Sequence, residues 1–166
     1  MGPVSATTTI DAPRERVFEF LCDLANRQAF TDHFIEELRL DRIPSTGLGA
    51  GARFRIPGRG LWVETVIEEL EPPHRIFERG RAGPMDRMPV TTVWELVEGP
   101  GPGGCEVTVH FWTEPATIWD RLRERPGVAG WYRRRWRRAL LRLKDLLELG
   151  SSVERVEVAG GDRLPS

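Results

Sequence analysis

Apolar and polar residues alternate with a period of two along most of this chain, and helical periodicity is confined to segments near its two ends. Residues 4–10, VSATTTI, alternate and predict a first β-strand. The next segment, DAPRERVFEFLCDL, carries an apolar stripe that predicts a helix, with Asp11 as its N-cap and Pro13 at its start. A short second helix is predicted over residues 26–32.

The central part of the chain predicts six consecutive strands. The first of them, FIEELRLDR, is expected to place Phe34, Leu38 and Leu40 on one face. GARFRIPGRGLWVETVIEELEPP then predicts a hairpin that turns at PGRG and stops at Pro72–Pro73, since proline cannot continue the strand ladder. HRIFERGR predicts one strand, and MPVTTVWELVEGPGPGGCEVTVHFWTEP predicts a second hairpin around a Gly/Pro turn.

The two hairpins each have a predicted core face. In the first hairpin the expected core pairs are Ile56–Leu61, Phe54–Val63 and Ala52–Thr65. The expected solvent pairs are Arg55–Trp62, a stacked pair, and Arg53–Glu64, an ion pair. In the second hairpin the expected core residues are Val90, Thr92, Trp94, Leu96, Val107, Val109 and Phe111. The alternate residues, which include Trp112, are expected on the outer face.

The segment WYRRRWRRALLRLKDLL, residues 131–147, has the second helical pattern. It is predicted to lie in a long helix that begins after Gly127 and ends near Leu149. Its apolar stripe consists of Tyr132, Trp136, Ala139, Leu140, Leu143 and Leu147. The flanks and the back carry Arg133, Arg134, Arg137, Arg138 and Lys144. We interpret the stripe as a face that packs on a sheet and the arginines as a solvated back. A short helix over residues 118–125 is also expected.

Together these elements predict an α+β fold in one domain, residues 1–149, followed by a disordered tail, residues 150–166. Six strands joined by short turns imply an antiparallel sheet, and a sheet with one apolar face needs a cover. The long helix is the only predicted element with the length to provide it.

Charge and cysteine content exclude several classes of protein. The formal net charge of the 166 residues is −1, which argues against a dedicated nucleic-acid binder. No run of eighteen apolar residues and no secretory leader pattern is present, and Cys22 and Cys105 are expected to be free thiols in a reducing cytoplasm. No metal-ligand spacing and no phosphate-binding loop is found, so neither a metal nor a cofactor is predicted.

Several segments resemble a known group of proteins. TTTIDAPRERVFEFLCDLANRQAF, TTVWELVE, EVTVHFWTEP and the leucine-rich end LLELG are similar to the START-like (SRPBCC) superfamily, within it the polyketide cyclase/dehydrase group. The likeness spans residues 3–149. It implies a helix-grip fold, in which a curved seven-stranded antiparallel sheet wraps the C-terminal helix and encloses a cavity for an apolar ligand.

This resemblance, combined with the predicted faces, defines candidate site residues. The expected ligand-binding wall is Phe54, Val63, Thr65, Thr92, Trp94, Val109, Phe111, Tyr132, Trp136 and Leu140. Four residues are candidates for acid–base chemistry. Glu36 and Arg42 are expected on the same strand face as the apolar residues, Asp86 lies in a predicted loop, and His33 lies near the expected mouth of the cavity. Inward threonines alone supply neither acid nor base at neutral pH.

We therefore predict that the protein binds a small hydrophobic molecule, aromatic, polycyclic or lipid-like, between the sheet and the C-terminal helix. One alternative is a polyketide cyclase or dehydratase. A further alternative is a membrane- or ribosome-associated interaction module that resembles the coenzyme Q-binding members and uses the basic helix as its contact surface. The sequence indicates neither the ligand nor the oligomeric state.

Overall fold

The computed structural model describes residues 1–41, 45–83, 88–114 and 127–153. Its strands are β1 (Val4–Ile10), β2 (Glu36–Leu40), β3 (Gly51–Ile56), β4 (Leu61–Glu71), β5 (Arg75–Ala82), β6 (Met88–Glu98) and β7 (Cys105–Thr113). Its helices are α1 (Arg14–Cys22), α2 (Arg27–Thr31) and α3 (Val128–Val153). The predicted order of elements is confirmed within these ranges, and the helix expected over residues 118–125 lies outside them.

All seven strands form one curved antiparallel sheet. Their order is β1-β7-β6-β5-β4-β3-β2, so consecutive strands from β2 to β7 are neighbours and β1 closes on β7. The long helix α3 packs its apolar stripe against the inner face of this sheet. The predicted α+β helix-grip fold is thus confirmed.

The register of the first hairpin is the predicted one. Ile56 lies opposite Leu61, Phe54 opposite Val63 and Ala52 opposite Thr65. The predicted outer pairs, Arg55 opposite Trp62 and Arg53 opposite Glu64, are also observed, but the predicted contacts within them are not. The guanidinium of Arg53 lies over the ring of Trp62 at 5.1 Å, and Arg55 pairs with carboxylates of β2.

A β-bulge in β2 separates the face of Glu36 from that of the leucines further along the strand. The pairing with β3 shifts between Glu36 and Arg39, and Glu37 takes a φ of 53°. Because one extra residue reverses the alternation of side chains, Glu36 lies opposite the 40% exposed Arg55, whereas Leu40 lies opposite the buried Ala52. Phe34 is buried and Leu38 packs partly buried against the core, as predicted, while Leu40 on this edge strand is 42% exposed.

The start of α1 also differs from the prediction. The residue before the helix is Pro13, which makes no side-chain cap, so Asp11 is not the N-cap. The backbone N–H of Asp11 instead donates to a carboxylate oxygen of Glu148 on α3, at 2.7 Å. This bond ties the segment between β1 and α1 to the long helix.

The orientation of α3 agrees with its sequence pattern. All six residues of the predicted stripe are buried, and Arg133, Arg134, Arg137 and Arg138 are exposed. The helix continues to Val153, four residues beyond the expected end. Residues 154–166 of the predicted tail are outside the described ranges. Among the described helices, none has the length and hydrophobicity that a membrane-spanning segment needs.

Candidate ligand-binding cavity

A cavity lies between the inner face of the sheet, the α2–β2 segment and the long helix. The free space that it holds in this structure is about 10 Å³, room for about one water molecule. The lining residues are Arg27, Phe34, Ile35, Phe54, Ile56, Val63, Thr65, Glu78, Val90, Thr92, Phe111, Tyr132 and Trp136. Most of these side chains are aliphatic or aromatic, which is the usual character of a small-molecule site.

Seven of the ten predicted wall residues line this cavity. They are Phe54, Val63, Thr65, Thr92, Phe111, Tyr132 and Trp136. The other three, Trp94, Val109 and Leu140, are buried in the core and do not appear in the lining. The structure thus brings the predicted wall together, while ligand binding at these positions stays a prediction.

Four aromatic rings pack around the helix side of the cavity. The ring of Trp136 contacts Phe34 and Trp94 edge to face, with centroids at 5.3 and 5.6 Å, and contacts Phe111 at 5.8 Å. Its side chain is 3% exposed, and its Nε1 has no hydrogen-bond acceptor among the described residues. A buried indole N–H without an acceptor is uncommon in a folded protein.

The sequence analysis did not identify the two charged residues of the wall, Arg27 and Glu78. Arg27 on α2 is 3% exposed and Glu78 on β5 is 1% exposed. The guanidinium donates to both carboxylate oxygens: Nη2 to Oε1 at 2.6 Å and Nη1 to Oε2 at 3.2 Å. This bidentate contact fixes the position of the carboxylate on the inner face of the sheet.

Two further donors complete the surroundings of Glu78. The indole Nε1 of Trp94 donates to Oε1 at 2.7 Å, and the hydroxyl of Thr65 donates to Oε2 at 3.3 Å. The guanidinium of Arg27 also lies over the ring of Trp94, 5.1 Å from its centroid. With four donors, the carboxylate has about its full complement of hydrogen bonds. The network therefore holds the carboxylate in one position on the inner face of the sheet.

The acid–base candidates do not assemble in this cavity. Glu36 lies on the edge strand β2, where its side chain is 50% exposed and pairs with Arg55 at 3.2 Å. The bulge in β2 explains why its expected inward direction is wrong. Arg42 and Asp86 lie outside the described residues. His33 is partly buried, and it packs between α2 and α3 rather than among the lining residues.

His33 belongs to a polar clasp between the end of α2 and the long helix. Its Nε2 is 3.1 Å from the carbonyl oxygen of Arg135, and its Nδ1 is 3.3 Å from Nη1 of Arg142. Arg135 donates to the carbonyl of His33, and Arg142 pairs with Asp32. Because the next residues, Phe34 and Ile35, line the cavity, this clasp holds one wall in place.

The clasp predicts a pH dependence of stability. Burial lowers the pKa of His33 from its ordinary value of 6.5, the bond to the Arg135 carbonyl opposes this, and the charges of Arg138 and Arg135 add to the lowering. In the unfolded chain the imidazole takes up a proton first as the pH falls, so its contribution is complete above about pH 6.5 and is lost below it. We expect the free energy of unfolding in urea to fall below that pH, and to fall less in His33→Gln. Equal pH slopes for the two proteins would contradict this role.

The two cysteines are free thiols, as expected, and both are buried. Burial raises the pKa of each thiol to about 11, so both remain protonated at neutral pH. A protonated thiol is neither a nucleophile nor a metal ligand. Within the described ranges, no group of three or more His, Cys, Asp or Glu residues is arranged to hold a metal ion.

Solved structures with the same fold have low sequence identity to this chain. A Deinococcus radiodurans protein is 21% identical with a TM-score of 0.60, and the match covers 89% of this chain and 98% of that one. A Helicobacter pylori protein is 14% identical with a TM-score of 0.70, covering 88% of each chain. DynU16, a protein of the dynemicin biosynthetic locus, is 19% identical with a TM-score of 0.60, covering 90% of this chain and 48% of its own.

A family model gives the more specific result. No curated protein sequence matches the chain significantly. The model described as "Polyketide cyclase / dehydrase and lipid transport" matches residues 1–148. That match covers every described strand and almost all of α3, and with the fold it supports a ligand-binding or polyketide-related role. The chain therefore belongs to the polyketide cyclase/dehydrase and lipid transport family.

Proposed function

We propose that this protein binds a small hydrophobic molecule, aromatic, polycyclic or lipid-like, in the cavity between the sheet and α3. The observation that carries the proposal is a mostly apolar cavity with one buried charged pair, Arg27 and Glu78, in its wall. Small-molecule sites span roughly 300–1,000 Å³, whereas the free space in this cavity is about 10 Å³. Binding a ligand with one or more rings therefore requires the walls of the cavity to move apart.

The arrangement of Glu78 favours binding over proton transfer. A general base needs a lone pair that can reach the substrate, and in this site four donors already occupy the carboxylate oxygens. Neither thiol is ionised, and His33 faces the clasp. The cyclase alternative therefore lacks an evident base among the described residues of the cavity.

The interaction-module alternative is weaker for a different reason. A helix that lies on a membrane surface needs a free apolar face. In α3 the stripe that includes Tyr132, Trp136 and Leu143 is covered by the sheet. Two arginines of this helix, Arg135 and Arg142, are bound to the α2–β2 segment.

The proposal predicts ligand-dependent tryptophan emission. Titration with the neutral probes 2-naphthol and flavone should change the emission of the protein, because Trp136 lines the cavity and Trp94 contacts it. The response should diminish in Trp136→Phe and Trp94→Phe, and it should persist in Trp62→Phe and Trp112→Phe, which change residues of the outer face. A response lost only in the outer-face variants would place the binding site elsewhere.

A matched pair of threonines tests the position of the site independently of fluorescence. Thr92 lines the cavity, whereas Thr108 lies on the outer face of β7. Thr92→Ile should weaken binding of the best probe about tenfold, since filling a packed site typically costs about 1–3 kcal/mol. Thr108→Ile should leave affinity unchanged, as measured by equilibrium dialysis. Equal effects in the two variants, or no binding by any probe, would reject the proposed cavity.

A further inference from the structure

We infer that the ligand of this cavity is a neutral molecule with a hydrogen-bond acceptor, such as a ketone or quinone oxygen, and that Nε1 of Trp136 donates to it. The inference rests on the proposed function, that the cavity binds an apolar molecule. Two buried tryptophans meet at this site. The indole of Trp94 donates to Glu78 at 2.7 Å, whereas the indole of Trp136 has no acceptor among the described residues.

Trp136 lines the cavity, and the aromatic rings around it offer its N–H no lone pair. The rings packed against it belong to Phe34, Trp94 and Phe111, and these rings carry no oxygen or nitrogen lone pair that can accept. Leaving a buried donor unpaired is costly, and a ligand acceptor in the same apolar space removes that cost. A hydrocarbon of the same shape would leave the N–H unpaired.

The charged pair in the wall favours a neutral ligand over an anion. Arg27 is already neutralised by the two-pronged contact with Glu78. A fatty-acid carboxylate would therefore meet no free cation in this pair, and it would lose its hydration in an apolar space. A ketone, ether or quinone oxygen carries no such penalty and can still accept from Trp136.

The test uses two molecules of nearly the same shape, 1-indanone and indane, of which only the first has a carbonyl oxygen. In ¹⁵N-labelled protein the indole N–H signal of Trp136 is assigned through its contacts to the ring protons of Phe34 and Phe111. We expect 1-indanone to move that proton resonance downfield, as a new hydrogen bond does, and indane to lack this effect. This readout uses the unmodified protein and does not depend on the stability of a variant.

Affinities provide the second measurement. For each protein we take the ratio of the indanone affinity to the indane affinity. The two probes differ in hydrophobicity by the same amount in every protein, so a change in this ratio between two proteins reports the hydrogen bond. In Trp136→Phe we expect this ratio to fall about tenfold relative to the unmodified protein, the size of one buried hydrogen bond. Trp62→Phe, which changes an outer-face indole, is the matched control and should leave the ratio unchanged.

The outcomes separate this inference from the proposed function. If both probes bind, the Trp136 signal is indifferent to the carbonyl and the ratio is the same in Trp136→Phe, the acceptor inference is overturned and apolar binding stands. The N–H would then be held by a ring face, of which Phe34 at 5.3 Å is the nearest. If neither probe binds up to its solubility limit, both the inference and the proposed function fail.

Discussion

Replacing Arg27 by methionine is expected to lower the free energy of unfolding by about 3–5 kcal/mol, the usual effect of breaking a buried ion pair by removing one partner. The cost arises because Glu78, which is 1% exposed, would remain as a buried carboxylate without its counter-charge. The donors that remain, Trp94 and Thr65, are neutral and compensate only part of that loss. Urea unfolding at pH 7 measures the change.

A second variant separates the ion pair from the packing of the arginine side chain. In Arg27→Met/Glu78→Gln both charges are absent; the amide oxygen can still accept from Trp94, and the amide NH2 group can donate to the hydroxyl of Thr65. We expect this double variant to recover most of the lost stability, because neutral replacement of a buried pair is often nearly neutral in free energy. If the double variant is as unstable as Arg27→Met, packing rather than charge explains the loss.

The matched control is the surface pair Arg75–Glu71. Its atoms are 3.2 Å apart, as close as one contact of the buried pair, but the side chains are 34% and 62% exposed. Arg75→Met should change the stability by about 1 kcal/mol or less, since solvent screens exposed pairs. Equal losses in Arg27→Met and Arg75→Met would contradict the importance that we give to burial.

The parts of the fold that were predictable from sequence are those where side-chain alternation and turn chemistry agree. In the first hairpin the PGRG turn fixes which residues face each other, so one alternation pattern sets the whole register. In α3 the six apolar residues at spacings of three and four leave only one face that can meet a sheet. The wall of the cavity follows from these two elements and β6–β7.

The charged pair was not predictable from local pattern, and each partner has its own reason. In β5 the inward residues include Ile76 and Glu78, while Phe77 faces outward between Arg75 and Arg79. Alternation alone admits the opposite orientation, which would bury Phe77 instead of Glu78. The irregularity between Ile67 and Glu69 in the neighbouring strand lies where β4 pairs with this part of β5, and no sequence signal marks it.

The sequence gives even less indication that Arg27 is buried. It follows Asn26 in a short polar helix, where an arginine is ordinarily solvated. Its burial depends on Glu78, a partner 51 positions later in the chain, and on the ring of Trp94. Such a pair can be identified only from the three-dimensional arrangement of the helix and the sheet. The one sequence signal concerned Glu78, which shares a face of its strand with the apolar Ile76.

The second large effect is expected at Trp136, whose replacement by alanine should lower the free energy of unfolding by about 3–5 kcal/mol. The ring is 3% exposed and touches Phe34, Trp94 and Phe111, so its removal leaves a space that the sheet and helix can fill only in part. Urea unfolding measures this loss, and the enlarged cavity should at the same time admit bulkier apolar probes.

The adjacent residue provides the control for this experiment. Arg137 is exposed on the back of the same helix, so Arg137→Ala should change stability by about 0.5 kcal/mol or less. Alanine has the same helix propensity at both positions, and arginine and tryptophan differ from it by less than about 0.7 kcal/mol, so propensity cannot produce the expected contrast. Similar losses at the two positions would mean that α3 is rotated about its axis, which would also remove Trp136 from the cavity and its indole N–H from the ligand.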